Sequence, residues 1–297
     1  LTIKDVKITS NGLIINAISA NAKITLDNAT LQGDVLNQGD LSVKNSTSVS
    51  KITGIGKTNI DTTGKVIVSE LIQNELTNTG NLTVNNLKIS TNANNSGTIT
   101  NNGLTSEIKN LTNSGIINGA GELEISGTSN NSGKISQSII KVSGTLDNTL
   151  GTLTATDKIE NTGNITTNAN KIIATNGIIN SGILNLSGTL DKEILGNGTT
   201  KIAGNSLTIL DGAVVKGILD INNQTLNVLA TNTTNMFNDV NVNSGALNLI
   251  NNSINNLSAN SLKINGNVNL LLDADLKNSV MDRLPSTTVA NGLITVK

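Results

Sequence analysis

Three pairs of carboxylates stand two residues apart: Glu122 and Glu124, Asp191 and Glu193, Asp273 and Asp275. In an extended segment residues i and i+2 share a face, so each pair sets two carboxyl groups side by side. Two carboxyls flanking a sugar bond are the machinery of glycoside hydrolysis, provided that other side chains grip the sugar, usually aromatic rings and arginine. The chain has 297 residues with no Trp, no Tyr and one Phe, and its one arginine is Arg283. Solvated charge is therefore the simpler reading of each pair. Leu123 and Ile125 turned inward would leave Glu122 and Glu124 outside. Val268, Leu270, Leu272, Ala274 and Leu276 would likewise share one face, with Asp273, Asp275 and Lys277 on the other.

The missing residue types remove other chemistry. Without His or Cys there is no Cys/His zinc site, no Ser-His-Asp or Cys-His pair and no thiol redox centre. Three Gly-x-Gly sites occur, Gly54-Ile55-Gly56, Gly119-Ala120-Gly121 and Gly196-Asn197-Gly198. None has the Asp two residues on that a calcium nonapeptide repeat needs, and none continues into a dinucleotide or phosphate-binding loop. No catalytic residue, cofactor or metal is expected. A net charge of −1 excludes a basic nucleic-acid footprint, and no run of 18 apolar residues offers a transmembrane segment. The chain opens on Leu1 rather than Met, so it reads as a fragment of something longer.

The elements that would carry such residues show in the repeats. Asn-[Ser/Thr]-Gly occurs at Asn78 to Gly80, Asn95 to Gly97, Asn113 to Gly115, Asn131 to Gly133, Asn161 to Gly163, Asn180 to Gly182 and Asn243 to Gly245. The steps between glycines are 17, 18, 18, 30, 19 and 63, and a degenerate copy, Asn148-Thr149-Leu150-Gly151, falls inside the step of 30. A period near 18 marks a repeat architecture. Within each unit, short stretches such as Glu122 to Ser126 and Ile139 to Ser143 alternate aliphatic with polar residues and are bounded by Asn, Gly and Ser, which reads as strand.

Eighteen residues with two or three strands are too few for a βαβ crossover or a propeller blade. They suit one turn of a parallel β-helix, so roughly 15 turns are expected. With 36 Ile, 35 Leu and 17 Val, the bore must be filled by aliphatics. The 51 Asn have two expected uses: left-handed backbone at tight corners, and side-chain amides bonded from turn to turn in a ladder. The motif glycines are expected where a positive φ is needed. Ile172 and Ile173 are adjacent, so only one can face the bore. Residues 1–267 are read as the β-helix and 268–297, with the only Pro, as a less regular terminal turn or cap that ends in a short strand from Gly292 to Val296.

Leu111-Thr112-Asn113-Ser114-Gly115-Ile116-Ile117, and less closely Leu146-Asp147-Asn148-Thr149-Leu150-Gly151-Thr152-Leu153, resemble the repeats of filamentous-haemagglutinin-like exoproteins and autotransporter passenger domains. The resemblance covers roughly residues 30 to 270, and the segment after Val268 is similar to the one that closes some large passengers. It implies a single right-handed parallel β-helix. It also implies a structural and adhesive role without catalysis, as a passenger or stalk of a secreted bacterial adhesin at the cell surface. Partners would be glycans or proteins of host or neighbouring cells, and an outer-membrane translocator would lie outside the fragment. The alternative is a β-helical polysaccharide lyase or hydrolase using one of the carboxylate pairs. An enzyme would gather acids from adjacent turns in a groove, whereas a stalk would scatter them.

Overall fold

A computed structural model describes residues 1–103, 105–285, 287–289 and 293–296. The chain is all-β, a parallel β-solenoid of about 14 turns with a less regular C-terminal region. It divides into two compact units, Leu1–Asp157 and Lys158–Lys297. Among the described residues the helical content is one 3-10 turn, Ala169–Lys171.

In the later part of the first unit a turn lays down three short strands. Glu122–Ile125, Thr128–Asn131 and Lys134–Gln137 form one turn, and Ile139–Val142, Thr145–Asn148 and Thr152–Ala155 the next. Equivalent strands pair in parallel, with Leu123 against Ile140, Ser129 against Leu146 and Ile135 against Leu153. Three faces result: face 1 carries Thr128–Asn131, face 2 Lys134–Gln137 and face 3 Glu122–Ile125. In earlier turns the corners are smoother, and single strands such as Lys65–Asn78 and Asn81–Asn95 run across more than one face.

Period-two alternation decides which side chains enter the bore. On face 2, Leu82, Ile99, Ile117, Ile135 and Leu153 stack inward on successive turns, all buried. Burying one such side chain stabilises the fold by about 1.5–3 kcal/mol, and aliphatics of similar size stacked at about 4.8 Å leave little void.

The second unit stacks strands in the same way. Ile165, Leu184, Thr200, Leu219, Val240 and Leu262 form one inward line. Phe237 is buried between Val215 and the small Ala259. Ile172 faces inward with no exposed surface while Ile173 is 47% exposed, as adjacency on an extended segment requires.

The alternation expected from Val268 through Leu276 breaks off early. The strand Val268–Leu271 gives way to an antiparallel hairpin in which Ala274 and Asp275 pair with Met281 and Val280. Leu276, expected to share a face with Val268 and Leu270, is 89% exposed. The cause is local: the Asp275 carboxylate accepts from the backbone N–H of Lys277 and Asn278, which turns the chain back on itself. After the hairpin the solenoid resumes, Thr287–Val289 pairing with residues 262–264 and Ile294–Val296 with residues 268–270. Gly292, expected to open that last strand, lies outside the described residues.

Candidate functional site

The motif asparagines of the first unit form a buried amide ladder. Nδ2 of Asn78 donates to Oδ1 of Asn95 at 2.7 Å, Asn95 to Asn113 at 2.7 Å, Asn113 to Asn131 at 2.6 Å and Asn131 to Asn148 at 2.6 Å. The second proton of each amide goes to backbone one turn on, as in Asn78 to the Thr98 carbonyl at 3.0 Å. In the second unit Asn161 donates to Asn180 at 2.8 Å and to the Ile183 carbonyl at 2.8 Å. Every amide points the same way along the chain, so the first member of each ladder has a buried Oδ1 with no donor, at Asn78 and at Asn161. Before Asn78 the equivalent position is Ile60, which has nothing to donate.

The motif glycines serve close approach rather than positive φ. Gly80, Gly97, Gly115, Gly133 and Gly182 are absent from the positive-φ positions. A Cβ on Gly97, Gly115, Gly133 or Gly182 would lie 2.1 Å from the carbonyl oxygen of the motif glycine one turn earlier, Gly80, Gly97, Gly115 and Gly163 respectively. Nor do the motif asparagines supply left-handed backbone. That conformation is found at other corners, at Asp5, Asn28 and Asn45 with φ of 53°, 52° and 52°, where Asn28 also donates to the Asp5 carboxylate at 3.0 Å.

The copy at Asn243 is a different corner. Val242 takes the inward position, which puts Asn243 in the outward phase. There it donates to Asp220 at 2.8 Å and accepts from Asn265 at 2.9 Å. Ser244 and Gly245 both have positive φ, 103° and 117°.

A second polar device was not visible as a motif. Asn37 and Gln73 are both buried, two turns apart, and Asn37 Nδ2 donates to Gln73 Oε1 at 2.8 Å. Between them stands Gly54 with φ 121°, whose missing side chain leaves the path clear. Asn101, Gly119 and Gln137 repeat the arrangement, with Gly119 at φ 138° and a distance of 3.3 Å. Two of the Gly-x-Gly sites are therefore gaps through which Gln reaches Asn. The signal available in sequence is Asn-x-Gly, then Gly-x-Gly, then Gln 36 residues after the Asn.

The three carboxylate pairs lie on outer surfaces and differ in what holds them. Glu122 is 2.8 Å from Lys141, and Glu124 accepts from Ser143 at 3.3 Å. They belong to a line along face 3, where Lys88 aligns with Glu107, Glu124 and Lys141. Lys88 sits 2.6 Å from Glu107, and that hydrogen bond and charge raise its pKa above the ordinary lysine value. Asp191 pairs only with the adjacent Lys192 at 3.3 Å, and Glu193 is exposed. Asp273 accepts from Asn251 N–H, while the side chain and N–H of Asn278, then the N–H of Lys277, hold the Asp275 carboxyl below its ordinary range. Asp282 is the charged residue buried beside this hairpin, and its two oxygens accept from the N–H groups of Asn255 and Asp273 at 2.7 Å. These are structural clamps, and none of the pairs lies in a groove lined by sugar-gripping side chains.

Two acids from turns two apart, with a lysine between them, border one groove elsewhere. On face 1, Lys23, Asp40, Lys57 and Glu75 align on successive turns. Asp40, Lys57 and Glu75, with Gln38, Ile55 and Asn74, edge a groove of about 270 Å³ at the corner where face 3 passes into face 1. A broader depression of about 410 Å³ on face 2 is lined by Ser46, Ser48, Thr83, Lys65 and Ile67, with no carboxylate among its lining residues. Among the described residues no group of three His, Cys, Asp or Glu is placed to hold a metal, and no helix is long and apolar enough to cross a membrane. Comparison with protein families, with curated proteins and with solved structures finds no match.

Proposed function

We propose that this chain is a passenger or stalk segment of a secreted bacterial adhesin, displayed at the cell surface, which acts by extending and presenting polar faces rather than by catalysis. The observation that carries the reading is the disposition of charge. Acids and lysines mostly face one another across adjacent turns on the outer faces, as in Lys88 with Glu107 and Lys51 with Glu70 at 3.8 Å, the neighbours Glu107 and Glu124 being an exception. Such pairing keeps a long polar surface soluble and near neutral, and it contributes little stability per pair. A β-solenoid supports the role physically, because each turn needs only its neighbours and length can be added without redesign. Contacts with surface glycans or proteins would be weak singly and strong through number.

A β-helical polysaccharide lyase or hydrolase remains the second reading, since Asp40 and Glu75 face one groove from turns two apart. Weighing against it, a general acid needs a carboxyl in a dry site. Asp40 is exposed, and Glu75 lies 3.9 Å from Lys57, which stands between the two acids.

Attachment and hydrolysis assays separate the readings. Beads coated with the chain should adhere to glycan-bearing cell layers above beads coated with albumin, and a polysaccharide panel incubated with the chain should release neither reducing ends nor unsaturated uronates. Turnover abolished by Asp40→Asn or Glu75→Gln would overturn the proposal in favour of the enzyme.

A further inference from the structure

The groove on the corner between faces 3 and 1 has a construction that points to its ligand. Its floor is backbone: a Cβ on Gly39 would lie 2.2 Å from the Ala22 carbonyl oxygen, and one on Gly56 would lie 2.4 Å from that of Gly39. Both glycines are buried against the turn before, so no side chain rises between the two walls. One wall is Gln38, Ile55 and Asn74 on successive turns; the other is Asp40, Lys57 and Glu75. The floor closes where Asn74 is followed directly by Glu75, at a shift of register between Gln73 and Glu75.

The backbone along this groove is already satisfied, with Gly56 N–H on the Asn37 carbonyl, Lys57 on Gly39 and Asn74 on Gly56. The two amides of the first wall are not. Gln38 and Asn74 are half-buried, and their amides make no hydrogen bond. Each presents a donor and an acceptor at the same register position, two turns and roughly 10 Å apart. Between them Ile55 is 65% exposed, an apolar step held outward by the glycines on either side.

We infer that this groove binds a linear, uncharged glycan lying along the solenoid, its hydroxyls paired with Gln38, Asn74 and the Asp40 and Glu75 carboxylates and its C–H faces over Ile55 and the glycine floor. Hydroxyls both donate and accept, which matches amides and carboxylates together. The charged lining, Asp40, Lys57 and Glu75, has a carboxylate on both sides of the one lysine, so a polyuronate would meet like charge on either side of Lys57, and a polyamine would meet that lysine between the two acids. The inference rests on the adhesive reading above and names the ligand class of one of its surfaces.

The test uses the full chain with cellohexaose and hexagalacturonate as probes. Amide resonances of residues 38–40, 55–57 and 74–75 should shift with cellohexaose. The double variant Gln38→Ala/Asn74→Ala and, separately, Ile55→Asp should each weaken binding at least tenfold, while Thr98→Ala on face 2 leaves it unchanged. No shift at millimolar cellohexaose, shifts confined to other residues, binding by both groove variants equal to that of the native chain, or tighter binding of hexagalacturonate would each overturn the inference. Bead attachment run in parallel separates the two claims. Attachment undiminished in the double variant sinks the groove and leaves the stalk standing. Cellohexaose binding without any attachment leaves the groove standing and sinks the adhesin.

Discussion

Asn113 Nδ2 donates to Asn131 Oδ1 across 2.6 Å, one turn on, with both residues buried. Because each amide in the ladder hands its proton to the next, the cost of an unpaired oxygen falls at one place only, the Oδ1 of Asn78. Interior and terminal members therefore differ in what their removal does.

Asn113→Leu should cost about 1–3 kcal/mol, since it strands the Asn131 oxygen and takes the acceptor from Asn95, and a buried group left unpaired carries its full desolvation penalty. Asn78→Leu should cost clearly less. It deletes an oxygen that already lacks a donor and transfers that condition to Asn95. Urea melts of the two variants give the comparison, and equal losses would mean that the ladder is not read in one direction.

Ile172 and Ile173 test the inward phase of the second unit. Ile172→Asp places a carboxylate among stacked aliphatics and should cost roughly 3–5 kcal/mol, as an uncompensated buried charge does. Ile173→Asp, at an exposed position, should change stability by no more than about 0.5 kcal/mol. Asn113→Ala should fall between them. Tolerance of Asp at both isoleucines in thermal melts would place this segment outside the wall of the bore.

Much of this was legible because a solenoid writes its periodicity into the chain. Asn95, Asn113 and Asn131 recur at 18 residues, and both their stacking and the inward alternation beside them follow from that spacing. Gln73 was not legible, because its partner Asn37 is two turns away and the residue between them is recognisable only by what it lacks. The hairpin at Asp275 escaped for a different reason. Its residues alternate like a strand, and the deciding interaction is a carboxylate bonding to the two N–H groups that follow it, which periodicity does not register. The role of the motif glycines was misjudged on local grounds, since close approach to the previous turn is a non-local demand.

Gly97 and Gly12 differ sharply in what surrounds them. On Gly97 a Cβ would sit 2.1 Å from the Gly80 carbonyl oxygen, and backbone on both sides cannot step aside without separating the turns. Gly97→Ala should destabilise by about 2 kcal/mol or more. Gly12 has nothing within 4 Å of its would-be Cβ and lies outside the positive-φ set, so Gly12→Ala should be neutral or stabilising by up to about 1 kcal/mol through the unfolded chain. Comparable losses at the two sites in denaturant melts would contradict the close-approach role.

Acid should loosen one corner of the second unit through Asp211. Its carboxylate accepts from the N–H of Asn232 at 3.0 Å and of Thr231 at 2.8 Å, and these bonds, Asn232's first, hold its pKa below the ordinary 3.8. A group whose pKa is depressed by folding contributes stability that is present above its unfolded value and is lost as pH falls through the folded one. The corner should therefore be fully held at pH 5 and above and weaken below about pH 4. Asp211→Asn keeps an oxygen acceptor but cannot titrate. Hydrogen exchange at Thr231 and Asn232, corrected for intrinsic pH dependence, should lose protection between pH 5 and 3 in the native chain and stay flat across that range in Asp211→Asn; the same acid loss in both proteins would assign it to another group.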